Sequence, residues 1–367
     1  MIAEPEVLII GGGPAGLAAA REAVKAGCSV VLLDDALTLG GQLVKQTHKF
    51  FGSEMEYAGV RGIKIPEILL KEILDAPNFE HHIRTTVSGY YEDGVVTAIR
   101  DEKEMVKFRP KKLIVATGAL EKTIPFPNND LPGVYGAGAV QTLMNVYGVV
   151  PGKRGLMVGA GNIGLIVSYQ LMQAGMEVAA VVEGMDKVGG YWVHASKIAR
   201  LGIPILTRHT ILEAKGQDVV TGAVIAPIDE NWRPIPGAET EIECDFICLA
   251  VGLSPLSDIF KLAECEMVYV PQLSGEVPYR TSEMQTTTEG IYVAGDAGGV
   301  EEASSAMIEG AIAGFAAAKA LGKVIPDYES RRCILQDELE RLRSGPVGEH
   351  IRGGLCQCSL EHKTEMN

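Results

Sequence analysis

The sequence predicts an α/β chain of two parallel-sheet domains, the second inserted into the first, and three observations carry this. An apolar strand runs into a glycine turn and an alanine-rich helix at residues 7–20. The same order recurs at residues 155–174, and a short apolar strand closing on Gly295-Asp296 then returns the chain to the first domain. The boundaries that follow are residues 1–122 for the first part of the outer domain, 123–253 for the inserted domain, 254–330 for the returning part, and 331–367 for a C-terminal helix and tail.

The first unit reads Val7-Leu8-Ile9-Ile10-Gly11-Gly12-Gly13-Pro14-Ala15-Gly16. This is the Gly-x-Gly-x-x-Gly turn of a Rossmann-like dinucleotide-binding fold. Gly11 permits the tight turn, Gly13 lets a pyrophosphate approach the backbone, and Gly16 lets helix and strand pack closely. Pro14 and Ala15 open the helix, whose unpaired N–H groups favour an anion. Asp34 ends the next strand, residues 29–33, where a carboxylate accepts hydrogen bonds from ribose hydroxyls. Residues 40–53 are polar and glycine-punctuated, a connection long enough to carry function. It holds Gly41, Gln42, Lys45, His48 and Lys49. Helical spacing at residues 61–74 and strand-like runs at residues 83–87, 95–99 and 112–116 follow, the last leading into Thr117-Gly118. Three prolines in residues 124–133 favour an extended crossover.

The second unit carries Gly159, Gly161, Asn162, Ile163 and Gly164 in the same turn. Its second strand, residues 177–182, ends in Glu183, about 20 residues beyond the last glycine, as the fingerprint requires. A carboxylate pairs with a free ribose 2′-hydroxyl and repels a 2′-phosphate, and no arginine follows closely in sequence, so NAD(H) is expected over NADP(H). Tyr191, Trp192 and His194 follow Gly189-Gly190, either near the nicotinamide or in packing. The domain closes on an apolar run into Gly252. After Asp296, residues 302–321 read as a helix rich in Ala and Gly. Residues 327–343 have helical spacing, with Ile334, Leu335, Leu339 and Leu342 in an apolar stripe that needs a cover, from a partner or from the chain itself. Residues 345–367 are glycine-interrupted and polar, and are expected to order only on a partner subunit.

A formal net charge of −14 disfavours a nucleic-acid surface. No apolar run approaches the roughly 20 residues of a spanning helix, and the acidic N-terminus lacks a signal peptide's basic start. A cytoplasmic protein without membrane insertion is expected. Cys28, Cys244, Cys248, Cys265 and Cys333 are scattered, as small buried hydrophobes in a reducing compartment would be. Only Cys356 and Cys358 form a close pair. No metal site is expected, because His81 and His82 lack ligand spacing.

Across residues 7–321 the chain resembles the two-dinucleotide-binding-domain FAD/NAD(P) oxidoreductase superfamily. The resemblance implies FAD in the outer domain, with Asp296 accepting a hydrogen bond from the ribityl chain, Thr117-Gly118 passing under the cofactor and Gly41-Gln42 beside the isoalloxazine. Gly40-Gly41-Gln42-Leu43 is similar to the thioredoxin reductase branch, but that branch's redox Cys-x-x-Cys is absent, so a disulfide reductase is not expected. Ala116-Thr117-Gly118-Ala119-Leu120-Glu121, Pro125-Phe126-Pro127, Leu131-Pro132-Gly133-Val134 and Leu342-Arg343-Ser344-Gly345-Pro346 resemble the α-subunits of sarcosine oxidase, dye-linked proline dehydrogenase, opine dehydrogenase and hydrogen cyanide synthase. Cys356-Gln357-Cys358 resembles the first half of an iron–sulfur segment. Four thiolates normally hold such a cluster, leaving a vestige, a truncation or ligands shared with a partner.

These readings imply an FAD-dependent, NAD(H)-linked oxidoreductase acting on an amine, amino acid or other small metabolite. It would work as one subunit beside a second flavoprotein or an iron–sulfur subunit. A stand-alone NADH-dependent reductase and a non-catalytic nucleotide-binding subunit are the alternatives. For catalysis the loop offers Gln42 to bond the flavin edge, His48 to move a proton or meet a carboxylate, and Lys49.

Overall fold

The computed structural model describes residues 2–50 and 54–365. The chain divides into two compact units, Met1–Leu120 with Ser254–Asn367, and Glu121–Leu253. Both are α/β, and each is built on a five-stranded parallel sheet with the glycine-turn strand in the middle.

In the first unit the sheet order is Ile291–Val293, Lys112–Val115, Val7–Ile10, Val30–Leu33, Phe79–His82. The three central strands are buried along nearly their whole length, which is why they read as unbroken runs of Val, Ile and Leu rather than as alternation. The helix Pro14–Lys25 covers one face and lies against the helix Ala303–Ala320, which is buried through residues 304–318. Small residues permit that crossing. A Cβ on Gly310 would stand 2.0 Å from the Ala15 carbonyl oxygen and one on Gly314 2.4 Å from that of Ala19, so the two backbones touch where any larger residue would part them.

A second sheet, Ile2–Ala3, Glu104–Phe108, Val96–Arg100 and Thr85–Tyr90, packs with Phe260, Ile259 and Cys265 on the other face. A hairpin, Met267–Val270 with Gly275–Pro278, completes the unit.

The Glu121–Leu253 unit repeats the sheet in the order Val134–Gly136, Phe246–Leu249, Arg154–Val158, Glu177–Glu183, Ile205–Thr207, all parallel. The outer strand beyond the closing strand enters before the glycine turn here, whereas in the first unit it returns from the far end of the chain. An antiparallel sheet, His209–Gly216, Val220–Pro227 and Thr240–Glu243, packs on one face.

Two expectations about the C-terminus and the cysteines are corrected, and one choice left open, what covers the stripe in residues 327–343, is decided. Residues 345–365 are not an irregular tail: they form the helices Gly345–Cys358 and Leu360–Glu365. Ile351, Leu355 and Cys358 close over Val268, Val270, Leu273 and Val277 of the hairpin. Of the two covers open to the stripe on the helix Tyr328–Leu342, the chain itself supplies it. Leu339 is buried in the first unit's own core, Leu335 and Leu342 pack beside it, and only Ile334 stays exposed. Cys28, Cys244, Cys248 and Cys265 are buried as expected, but Cys333 is exposed, and of the close pair Cys356 is exposed while Cys358 is buried.

Candidate functional sites

The two glycine turns are superimposable in their chemistry. In the first, Gly11 sits at φ +102°, where a Cβ would stand 2.2 Å from the Ala116 carbonyl oxygen. A Cβ on Gly16 would stand 1.8 Å from the Gly11 oxygen. In the second, Gly159 at φ +109° faces the Ala250 oxygen at 2.2 Å, and Gly164 faces the Gly159 oxygen at 2.0 Å. These four glycines are required by the protein's own packing. The middle glycines differ: a Cβ on Gly13 would meet nothing nearer than Gly41 Cα at 3.8 Å, and one on Gly161 would meet nothing within 4 Å. Their backbone conformation is ordinary, φ −75° and −73°. A glycine that neither strain nor packing demands, at the N-terminus of a helix, fits the close approach of a phosphate.

The residue between the first two glycines is pinned identically in both turns. The Gly12 N–H donates to Asp34 Oδ2 at 2.6 Å, and the Gly12 carbonyl accepts from the Gly40 N–H at 2.8 Å. The Ala160 N–H donates to Glu183 Oε2 at 2.7 Å, and the Ala160 carbonyl accepts from the Gly190 N–H at 2.9 Å. The other carboxylate oxygen accepts in each case from the backbone two residues on, Ala36 at 2.8 Å and Met185 at 2.8 Å. Each oxygen keeps a second lone pair for a ribose hydroxyl. Burial pushes the Asp34 carboxyl up, and the two N–H donors oppose it.

The Gly40-Gly41 and Gly189-Gly190 loops thus play one structural role, closing over the glycine turn. A Cβ on Gly41 would stand 2.8 Å from Gly13 Cα, and one on Gly190 2.9 Å from the Gly161 carbonyl carbon. Asn162 reinforces the second closure, its Oδ1 accepting the Tyr191 N–H at 2.8 Å. Tyr191 and Trp192 are exposed and His194 is buried; Ile163 stands partly exposed at the helix start.

Asp296 lies half-buried in the turn Gly295–Gly298, with Oδ1 accepting the Glu301 N–H at 3.2 Å. Burial, with Glu309 and Glu301 nearby, pushes its carboxyl up to about 7. Thr117 Oγ1 donates to the Leu256 carbonyl at 2.7 Å, and Gly118 accepts the Leu256 N–H at 3.0 Å, so this crossing is tied to the returning chain. Gly252 accepts the Lys122 N–H at 2.9 Å in the other unit.

The loop of catalytic candidates is tied to the turn that follows it, the Ile63 and Gly62 N–H groups donating to the Gln46 and His48 carbonyls at 2.9 and 3.2 Å. Gln42 is exposed in the turn of helix Gly41–Lys45. His48 is half-buried, its ring stacked on Phe50 at 5.9 Å, while Lys49 is exposed and pairs by its backbone with Arg61. Residues 51–53, which end this loop, lie outside the described residues. Sequence reasoning passed over Gln46, whose Oε1 is buried with no hydrogen-bond partner. A buried amide oxygen left unmatched is a cost that a bound donor would remove. Among the described residues no cluster of three or more His, Cys, Asp or Glu side chains could hold a metal ion, and no helix is long and apolar enough to cross a membrane.

Residues 5–310 match the family model described as pyridine nucleotide-disulphide oxidoreductase. The chain belongs to this family. Its members are flavin-dependent oxidoreductases and bind FAD. Among curated proteins it is 28% identical over 333 residues to sarcosine oxidase subunit alpha of Corynebacterium sp. (strain P-1), covering 86% of this chain and 33% of that one. It is 28% identical over 380 residues to hydrogen cyanide synthase subunit HcnB of Pseudomonas aeruginosa, covering 96% and 80%. The chain therefore spans about a third of the sarcosine oxidase subunit and most of HcnB. Among solved structures, L-proline dehydrogenase from P. horikoshii matches with a TM-score of 0.69 at 23% identity, over 93% of this chain and 60% of that one, a likeness of fold. The family and the relatives named are those the sequence motifs resemble.

Proposed function

We propose that the chain is the FAD-dependent, NAD(H)-linked subunit of a multi-subunit dehydrogenase acting on an amine, amino acid or other small metabolite. The observation that carries this reading is the pair of matched glycine turns, each with open space at its middle glycine and a carboxylate held at its second strand's end. FAD belongs to the first turn: Gly11, Gly13, Pro14, Ala15, Gly16 and Asp34 take the pyrophosphate and ribose, Gly295 and Asp296 the ribityl chain, with Gly41, Gln42, Thr117 and Gly118 beside it. NAD(H) belongs to the second, on Gly159, Gly161, Asn162, Ile163, Gly164, Glu183 and Gly252. Bound flavin would supply hydride and electron transfer. This chain's residues would bind and orient it, with Gln42 at the flavin edge and His48 and Lys49 on the substrate side.

Glu183 supports NADH over NADPH, because a 2′-phosphate beside a carboxylate in a half-buried site is opposed by a few kcal/mol at an effective dielectric of about 20. The structure adds one opposing feature that sequence distance hid: exposed Arg208, a residue type that accommodates a 2′-phosphate, donates its backbone N–H to the Met185 carbonyl, two residues past Glu183. Relatives named as subunits support a partner, a second flavoprotein or iron–sulfur protein. Seven free thiols support a reducing compartment such as the cytoplasm, and the burial of Cys244 and Cys248 supports a reaction other than disulfide reduction.

Anaerobic stopped-flow of the FAD-loaded chain, alone and with co-purified partners, tests the reading. Bleaching of the flavin by NADH, or by an amine once the partner is present, is expected. A chain that takes up FAD but is bleached by neither, with or without partners, would overturn it.

A further inference from the structure

Trp232 occupies a position that packing within the fold does not account for. It lies in the turn after the strand Val220–Pro227, at φ +62°, a left-handed conformation that is costly for a bulky residue. The turn is built to hold it there. Asp229 Oδ1 accepts the N–H groups of Asn231 at 2.8 Å and Arg233 at 2.9 Å. The Trp232 N–H donates to the Asp229 carbonyl at 3.1 Å, and the Asp229 N–H to the Arg233 carbonyl at 2.9 Å. Four hydrogen bonds within five residues fix the backbone from which the Trp232 side chain projects.

That side chain leads to Gly184. The indole six-membered ring lies so close that a Cβ on Gly184 would stand 2.5 Å from Cζ3 and 3.1 Å from Cη2. Gly184 directly follows Glu183, whose carboxylate holds the glycine turn. The same corner is braced from below, where Arg208 donates to Met185 and Ile228 donates to Arg208 at 2.7 Å. Yet the contact covers little of the ring, since Trp232 remains 61% exposed. A strained backbone held by four hydrogen bonds thus carries a largely exposed indole beside the residue proposed to hold the adenosine ribose.

We propose that Trp232 is the adenine-binding wall of the nucleotide site in the Glu121–Leu253 unit, its indole stacking on the purine of the dinucleotide. An aromatic platform binds a base through its π-face and burial of apolar area. Gly184 leaves room for the ring in this position. The inference rests on the reading that this unit binds an adenine dinucleotide.

The experiment uses the full FAD-loaded chain carrying Trp192→Phe, which leaves Trp232 as the only tryptophan of the two in the sequence. Titration with ADP-ribose should quench its emission saturably, and calorimetry should give the same Kd. Trp232→Ala should raise the ADP-ribose Kd roughly tenfold or more, the range of base–aromatic stacking, while Trp232→Phe restores most of the affinity. An ADP-ribose Kd within twofold of the parent in Trp232→Ala would overturn the role of Trp232 and leave the dinucleotide reading standing. A parent chain that binds neither ADP-ribose nor NADH would overturn the dinucleotide reading, and the inference with it.

Discussion

The Glu309 carboxylate, fully buried on the helix Ala303–Ala320, accepts the backbone N–H of Gly295 at 3.0 Å and so holds the turn that carries Asp296. Glu309 is itself held between two guanidinium groups: Arg280 donates to both its oxygens at 3.2 and 2.8 Å, and Arg343 to Oε1 at 2.5 Å. Burial opposes the charge, but the two cations outweigh it and keep the carboxyl below its ordinary range. Arg343 also forks onto Glu301 at 2.9 and 2.6 Å. Two acids and two bases therefore neutralise one another inside the unit, and removing one partner leaves an unmatched buried charge. Glu309→Ala is expected to cost about 3–5 kcal/mol of stability and to loosen flavin retention. Urea unfolding and flavin absorbance of the purified variant measure both; a loss under about 1 kcal/mol would show that the network is not holding the turn.

The raised carboxyl of Asp296 makes a pH-dependent contribution of definite sign. Its folded value of about 7 lies above the ordinary 3.8, so between these pH values the folded protein binds a proton that the unfolded chain has released. The favourable effect of that proton is complete at low pH and lost as pH rises towards and through about 7. Asp296→Asn keeps an acceptor but cannot ionise. The unfolding free energy of the flavin-free variant should therefore gain on that of the parent between pH 5 and pH 8, by up to a few kcal/mol. A difference that does not change over that interval would contradict the assignment.

The glycine turns separate a packing role from a binding role within six residues. Gly16→Ala drives a methyl into the Gly11 carbonyl and should cost about 3 kcal/mol or more. Gly13→Ala meets open space at an ordinary φ, so the flavin-free protein should melt as the parent does while failing to take up FAD. Gly161→Ala should likewise leave stability and flavin content unchanged and abolish NADH binding. Thermal melts, flavin absorbance and NADH titration read the three outcomes. A Gly13→Ala protein that retains FAD would remove the first turn from the flavin site.

Much of this was legible because the fingerprint records a backbone requirement. Gly11, Gly16, Gly159 and Gly164 are fixed by contacts within a few residues or with the adjoining strand, so the sequence pattern and the geometry are nearly one statement. The closures over the turn were not legible: Gly40 reaches Gly12, and Gly190 reaches Ala160, only once the sheet has brought them together. Trp232 and Gly184 are joined the same way. The C-terminus misled for a different reason. Gly345, Gly348, Gly353 and Gly354 lower helix propensity, and the segment read as a tail. A Cβ on Gly348 would stand 1.9 Å from the Arg343 oxygen, and one on Gly354 2.8 Å from Gln272 Cβ. At these two positions glycine marks close packing, not an unfolded segment, and tertiary contact overrides propensity.

That packing reverses the expected effect of removing residues 345–367. An unattached tail would leave stability and flavin content unchanged. In the structure the helix Gly345–Cys358 buries Val270, Leu273 and Val277, and the Cys358 carbonyl accepts the Arg280 N–H at 2.9 Å. Deletion would uncover three apolar side chains, each contributing about 1.5–3 kcal/mol when fully buried, and would free the backbone of the arginine that holds Glu309. Loss of several kcal/mol and of part of the flavin is expected. A thiol count checks the same docking without truncation. Cys333 and Cys356 are exposed and the other five cysteines buried, and burial pushes the Cys358 thiol up. Native protein should therefore react with a thiol reagent at two of its seven cysteines, and Cys356→Ser should reduce the count to one. Rapid native labelling of Cys358, together with a deletion that keeps full stability, would show that the C-terminal helix does not dock on the hairpin.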